Sequence, residues 1–176
     1  MAYDVEKIIK LIPKKNDNEL CQMFKNAIDI IANNKPLKKE AMKMLSAIQA
    51  EWKRRIKLYK EGKYSPARPK QGMLDFLGYN VGHKGEPTKR RKYLIDFVIS
   101  EELPLVQSPA YTLEWGDKKS RKRYKKLHRV LQGLITNFSN RKEDFDYDKA
   151  IIEWKEDLDY LEKKWEGIKE TINVWT

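Results

Sequence analysis

The sequence predicts an all-α protein, a multi-helix bundle with an N-terminal helical hairpin and a long antiparallel C-terminal helix pair. Three observations carry that expectation. Apolar residues recur at three- and four-residue intervals in every long segment, which is the spacing of one helix face. No segment alternates apolar and polar residues convincingly enough to make a strand. Prolines and glycines stand mainly where segments begin or stop.

The elements follow in order. Val5, Ile8, Ile9 and Ile12 mark a short first helix from Asp4, stopped by Pro13. Leu20, Phe24, Ala27, Ile28 and Ile31 form one face of a second helix, which Asn33-Asn34 ends. Pro36 suits a first helical turn, and Leu37, Ala41, Leu45, Ile48, Trp52, Arg55 or Ile56, and Tyr59 carry a stripe to Gly62, completing the hairpin. Two prolines and two glycines between 62 and 72 cannot continue a helix. The expected organisation is therefore a hairpin over 1–62, a linker over 63–71 and a helical domain over 72–176.

In that second domain Met73, Leu74, Phe76 and Leu77 suggest a short helix closed by Gly78, and 79–86 a glycine-bearing loop. Pro87 opens a helix that buries Leu94, Ile95, Val98 and Phe97 and ends near Ser100. Leu103-Pro104 breaks the chain, and Ser108-Pro109 starts another helix that Gly116 stops after Trp115. Asp117 or Ser120 caps a long helix with Tyr124, Leu127, Leu131, Leu134 and Phe138 on its core face. The last helix carries Tyr147, Ile151, Trp154, Leu158, Leu161, Trp165, Ile168 and Ile172, an unbroken heptad seam that should pack antiparallel on its predecessor. Its aromatic residues read as core.

The 176 residues include 36% charged side chains and 40% hydrophobic ones, enough to build a core and to exclude a disordered chain. The longest runs without Asp, Glu, Lys or Arg are 103–113 and 130–140, too short for the ~20 residues of a membrane span. The start, Met-Ala-Tyr-Asp-Val-Glu, lacks the pattern of a secretory signal. A soluble, cytoplasmic protein without membrane contact is expected, and the single cysteine, Cys21, permits no internal disulfide and fits a small buried hydrophobe.

Net charge is +11 and unevenly spread: +6 over residues 1–62, +11 over 63–142 and −6 over 143–176. Lys118, Lys119, Arg121, Lys122, Arg123, Lys125, Lys126 and Arg129 crowd the first turns of the long basic helix. Cations at a helix N-terminus are disfavoured by about 0.3–1 kcal/mol each, so an external anion is expected to compensate them. Lys89, Arg90, Arg91 and Lys92 open an earlier helix, beside a loop carrying His83 and Lys84, where backbone N–H groups also favour anions. These residues, with Lys84, point to nucleic acid held through its phosphates. Duplex DNA is favoured over RNA because the aromatic residues lie in seams and leave no stacking platform. Two other readings compete: the acidic last helix, with Glu153, Glu156, Asp157, Asp159, Glu162 and Glu166, neutralises the basic one, or the cations meet an acidic protein partner, as in a helical subunit or an inhibitor from a phage or mobile element.

Chemistry has little to build on. His83 and His128 are far apart and outside any zinc-ligand spacing, and the glycines at 78, 82 and 85 lack a P-loop ending, so no catalytic residue, metal or cofactor is assigned and the protein reads as non-enzymatic. Glu114 and Asp117 beside Lys118 and Lys119 would serve a metal-dependent nuclease, but they read first as a helix stop and an N-cap.

The blocks GMLDFLGYNVG at 72–82, SPAYTLEWG at 108–116 and WKEDLDYL at 154–161, together with EWKRR at 51–55, resemble an uncharacterised family of bacterial helical proteins. The resemblance spans most of the chain; it implies one architecture and a bacterial or phage source, and no activity. Residues 73–99 are also similar in layout to SAP-like helix-extension-helix nucleic-acid-binding modules, through Leu74, Leu77-Gly78, Gly85, Lys89 and Leu94, although the loop here is longer.

Overall fold

The computed structural model describes residues 4–33, 36–64, 71–141 and 147–173, with side chains through Ile168. Among them every regular element is helical: α1 (Val5–Leu11), followed by a 3₁₀ turn (Ile12–Lys14), α2 (Asp17–Ala32), α3 (Lys38–Lys60), α4 (Met73–Phe76), α5 (Thr88–Ser100), α6 (Pro109–Glu114), α7 (Arg121–Ser139) and α8 (Asp148–Asn173). The all-α expectation holds. The linker stretch 65–70, Asn34 and the side chain of Ile172 lie outside the described residues. No described helix is long and apolar enough to cross a membrane.

The chain folds as two compact units, Met1–Phe76 with Leu103–Leu113, and Leu77–Glu102 with Glu114–Thr176. This division differs from the boundary expected at 63–71, for a visible reason. The Phe76 ring lies 6.1 Å from that of Phe24, and the Tyr111 hydroxyl accepts from the Met73 N–H at 3.0 Å, so α4 and the 103–113 segment belong with the hairpin.

In the first unit α2 and α3 pair antiparallel around Leu20, Phe24, Ile28, Leu45, Ile48 and Trp52. Asn16 starts α2 with a capping box, its side chain accepting from the Glu19 N–H while the Glu19 carboxylate accepts from the Asn16 N–H. At the same end Arg55, 5% exposed, takes the stripe position left open between it and Ile56. Its guanidinium donates to Glu51 (2.7 Å), Asp17 (2.8 Å) and the Lys15 carbonyl (2.6 Å), and the Tyr64 hydroxyl donates to Asp17. Burial alone would push the Glu51 carboxyl up, but hydrogen bonds from Arg54 and Arg55 hold it below its ordinary 4.5. A carboxyl depressed in the folded state stabilises it above the unfolded pKa, and that contribution disappears as pH falls through the folded value. The thermal midpoint of this unit is therefore expected to drop below about pH 4.5, and a Glu51→Gln chain should show a flatter acid limb.

The second unit is built on α7 and α8, which run antiparallel: Tyr124 stacks on Trp165 (4.8 Å, 10°) at one end and Phe138 meets Trp154 (5.1 Å) at the other. Leu127, Leu131 and Ile135 of α7 face Trp154, Leu161 and Trp165 of α8. Helix α5 lies against both, contributing Leu94, Ile95 and Val98 to the core.

Candidate nucleic-acid interface

The first basic cluster begins in the loop before α5. Gly85 makes its tight turn: its N–H donates to the Gly82 carbonyl at 3.0 Å, and a Cβ there would sit 2.5 Å from the Val81 carbonyl carbon. Gly82 has φ 86°, the left-handed region, and its N–H donates to Glu153 at 2.6 Å. The loop is thereby fixed to α8, leaving His83 and Lys84 exposed.

In α5 itself Lys89 is exposed and Arg90 half-buried. Arg91 corrects the expectation: it is 1% exposed and cannot meet a phosphate. Its guanidinium donates to Asp157 at 2.7 Å and to the Glu86 carbonyl at 3.0 Å, with Glu153 at 3.3 Å and Glu156 at 3.6 Å. Burial opposes the charge on Arg91, yet Asp157 raises its pKa overall. Asp157, fully buried, also accepts from the Tyr79 hydroxyl at 2.6 Å, and burial, reinforced by that carboxylate, pushes the phenol far above its ordinary range. Lys92 rests over the Tyr160 ring, 5.0 Å from its centre, while the Tyr160 hydroxyl donates to Asp96 at 2.9 Å.

The second cluster surrounds the start of α7, where the Ser120 hydroxyl caps the helix by accepting from the Arg123 N–H. Arg123 is the second correction, being 3% exposed. It donates to the carbonyls of Gly116 (2.6 Å) and Glu101 (2.5 Å) and, at 3.4 Å, Val98, which ties the end of α5 to the start of α7. Desolvation pushes its pKa down to about 10, so it remains a cation at neutral pH. Lys126 is ion-paired to Glu114 at 2.9 Å, and the hydrogen bond holds that carboxyl below its ordinary range; Asp117 is exposed. Lys118 has Glu102 at 3.9 Å.

The remaining cations form a ridge. Lys119, Arg121, Lys122, Lys125 and Arg129 are all exposed, and among the described residues Lys119, Arg121, Lys125 and Arg129 have no ion-pair partner. Arg121, Lys125 and Arg129 stand at i, i+4 and i+8, an arrangement that destabilises an isolated helix by about 0.2–0.5 kcal/mol per like-charged pair. Together with Lys122, Lys126 and Glu114 they line a shallow concavity.

Five acids of α8 are spent elsewhere. Glu153, Glu156 and Asp157 surround Arg91 of α5, Asp159 pairs with Lys163 at 2.6 Å, and Glu162 contacts His128 at 3.0 Å. None of these five reaches a Lys or Arg of α7. The two basic helix starts are also not brought together: α7 begins against the C-terminal end of α5, so the length of α5, roughly 20 Å, separates them.

Fold and site together define an all-α protein with a cationic ridge on the outer side of one long helix. No protein-family profile, curated protein or solved structure matches the chain.

Proposed function

We propose that this is a non-enzymatic nucleic-acid-binding protein that holds duplex DNA by its phosphates, principally through Lys118, Lys119, Arg121, Lys122, Lys125 and Arg129. Lys84, Lys89, Arg90 and Lys92 supply a secondary contact at the other end of α5. The observation that carries the reading is the set of i, i+4, i+8 cations left without carboxylates among the described residues, while five acids of α8 in the same unit pair elsewhere. Like charges held side by side at their own cost are relieved by an external polyanion, which also releases condensed counterions on binding.

A fluorescence-anisotropy titration of the full chain against labelled duplex DNA at several salt concentrations tests this. Neutralising four or five phosphates gives a slope of log K against log salt near −4, a loss of roughly 10² to 10³ in affinity between 50 and 200 mM. No binding at 50 mM salt, or binding indifferent to salt, removes the proposal. Preference for an acidic protein over the duplex under the same conditions removes it equally.

A further inference from the structure

We propose that the outer side of α7 reads duplex DNA from within the major groove, with Arg129 and Gln132 addressing base edges while Arg121, Lys122 and Lys125 hold flanking phosphates. This rests on the nucleic-acid reading and goes beyond it, because phosphate contacts alone carry no sequence information.

Arg121, Lys125, Arg129, Gln132 and Thr136 are all exposed and recur at intervals of four, four, three and four residues, one straight stripe along the helix. The stripe lies opposite the buried row Arg123, Leu127, Leu131 and Ile135. No exposed residue of α7 is acidic or apolar. The stripe changes character along its length, from the cations Arg121, Lys125 and Arg129 to an amide and a hydroxyl, Gln132 and Thr136. Two shallow concavities, one at the cationic end and one towards Asn137, share Lys125 and Arg129, so the surface is continuous. An acidic protein surface would match the charge of the first half, whereas the second half carries no charge for it to match. A DNA groove offers both, phosphates at the edges and donor and acceptor groups on its floor.

The individual side chains suit those roles. Gln132 has no side-chain hydrogen-bond partner among the described residues and presents an acceptor beside two donors, the set that pairs with adenine N6 and N7. Arg129, one turn earlier on the same stripe, has the fork that matches guanine O6 and N7. Thr136 is turned inward, its hydroxyl donating to the Gln132 carbonyl at 3.0 Å, and is not a reader. Next to Gln132, Gly133 is a glycine inside a helix where nothing lies within 4 Å of an added Cβ. Packing among the described residues does not demand it there, although helix propensity disfavours it. Its bare backbone lets a groove wall approach α7 closely. A helix with its side chains is about 10–12 Å across and the B-form major groove about 12 Å wide, whereas the A-form groove of duplex RNA is too deep and narrow.

The test is selection of the full chain on a randomised duplex DNA pool near 0.15 M salt, followed by guanine-N7 methylation protection on the selected sequence. Wild type should enrich a short motif containing a guanine or adenine and protect N7. Gln132→Ala, an exposed substitution, should lose preference at one position by about tenfold while non-specific affinity stays within about twofold. Duplex binding without enrichment, without N7 protection, or with the same motif in Gln132→Ala overturns groove reading and leaves phosphate binding standing. Stronger binding to A-form RNA or single strands than to DNA overturns it too. Absence of any DNA binding at low salt overturns both proposals together.

Discussion

Asp157→Ala is expected to destabilise the second unit by about 3–5 kcal/mol, a large share of the 5–15 kcal/mol by which domains are usually stable. Asp157 is fully buried in α8 and Arg91 is 1% exposed in α5, so removing the carboxylate strands a guanidinium that water cannot reach. The remaining acids do not replace it: Glu153 and Glu156 stand at 3.3 and 3.6 Å, farther than the 2.7 Å bond from Arg91 to Asp157. Tyr79 loses its acceptor in the same step, which leaves the loop that presents Lys84 tied to α8 through Gly82 and Glu153. Hydrogen exchange resolves the effect by location, because amides of α5, α7 and α8 should lose protection while those of α2 and α3 keep theirs. A loss below about 1 kcal/mol would place Arg91 outside the load that the unit carries. Asp157→Asn, which keeps shape without charge, should fall between the two.

Reversing the ridge with Arg121→Glu, Lys125→Glu and Arg129→Glu together is expected to weaken duplex binding at least ~100-fold, since each attractive phosphate contact becomes repulsive. Stability should move the other way. Those cations repel one another, and a carboxylate in the first turn of α7 complements the helix dipole, so the variant should unfold at equal or slightly higher denaturant, by up to about 1 kcal/mol. Binding lost with stability kept is the behaviour of a contact surface and not of a scaffold. Arg123→Met supplies the contrast from the same run of basic residues: it should cost stability, because the carbonyls of Gly116 and Glu101 lose a buried donor. Equal binding by the triple variant and wild type would remove the ridge from the interface.

That contrast shows where the letters were readable and where they were not. Hydrophobic spacing gave the helices and the antiparallel α7–α8 pair, because period is a property of one helix at a time. It did not separate Arg123 from Arg121 and Lys122, since in an unbroken run of cations no apolar residue marks which angle faces the core. The signal was nevertheless present: Arg123, Leu127, Leu131 and Ile135 are four residues apart and all buried. Arg91 stands in the same relation to Leu94, Ile95 and Val98. Asp157 fills a seam position that Leu158 was expected to hold, being three residues from Trp154 and four from Leu161. The pairing of α8 acids with α5 instead of α7 was not legible, because it depends on which helix lies beside which, and composition is silent on that.

The carbonyl cage around Arg123 also bears on kinetics. By fastening the turn at 116 and the end of α5 to the first turn of α7, it sets the backbone beneath the cations before any ligand arrives. At the first turn of α7 only side-chain rotamers then remain to be ordered on encounter. Association should therefore be a single fast phase, steered by charge and slowed by salt, with the differences among DNA sequences appearing in how long the complex lasts.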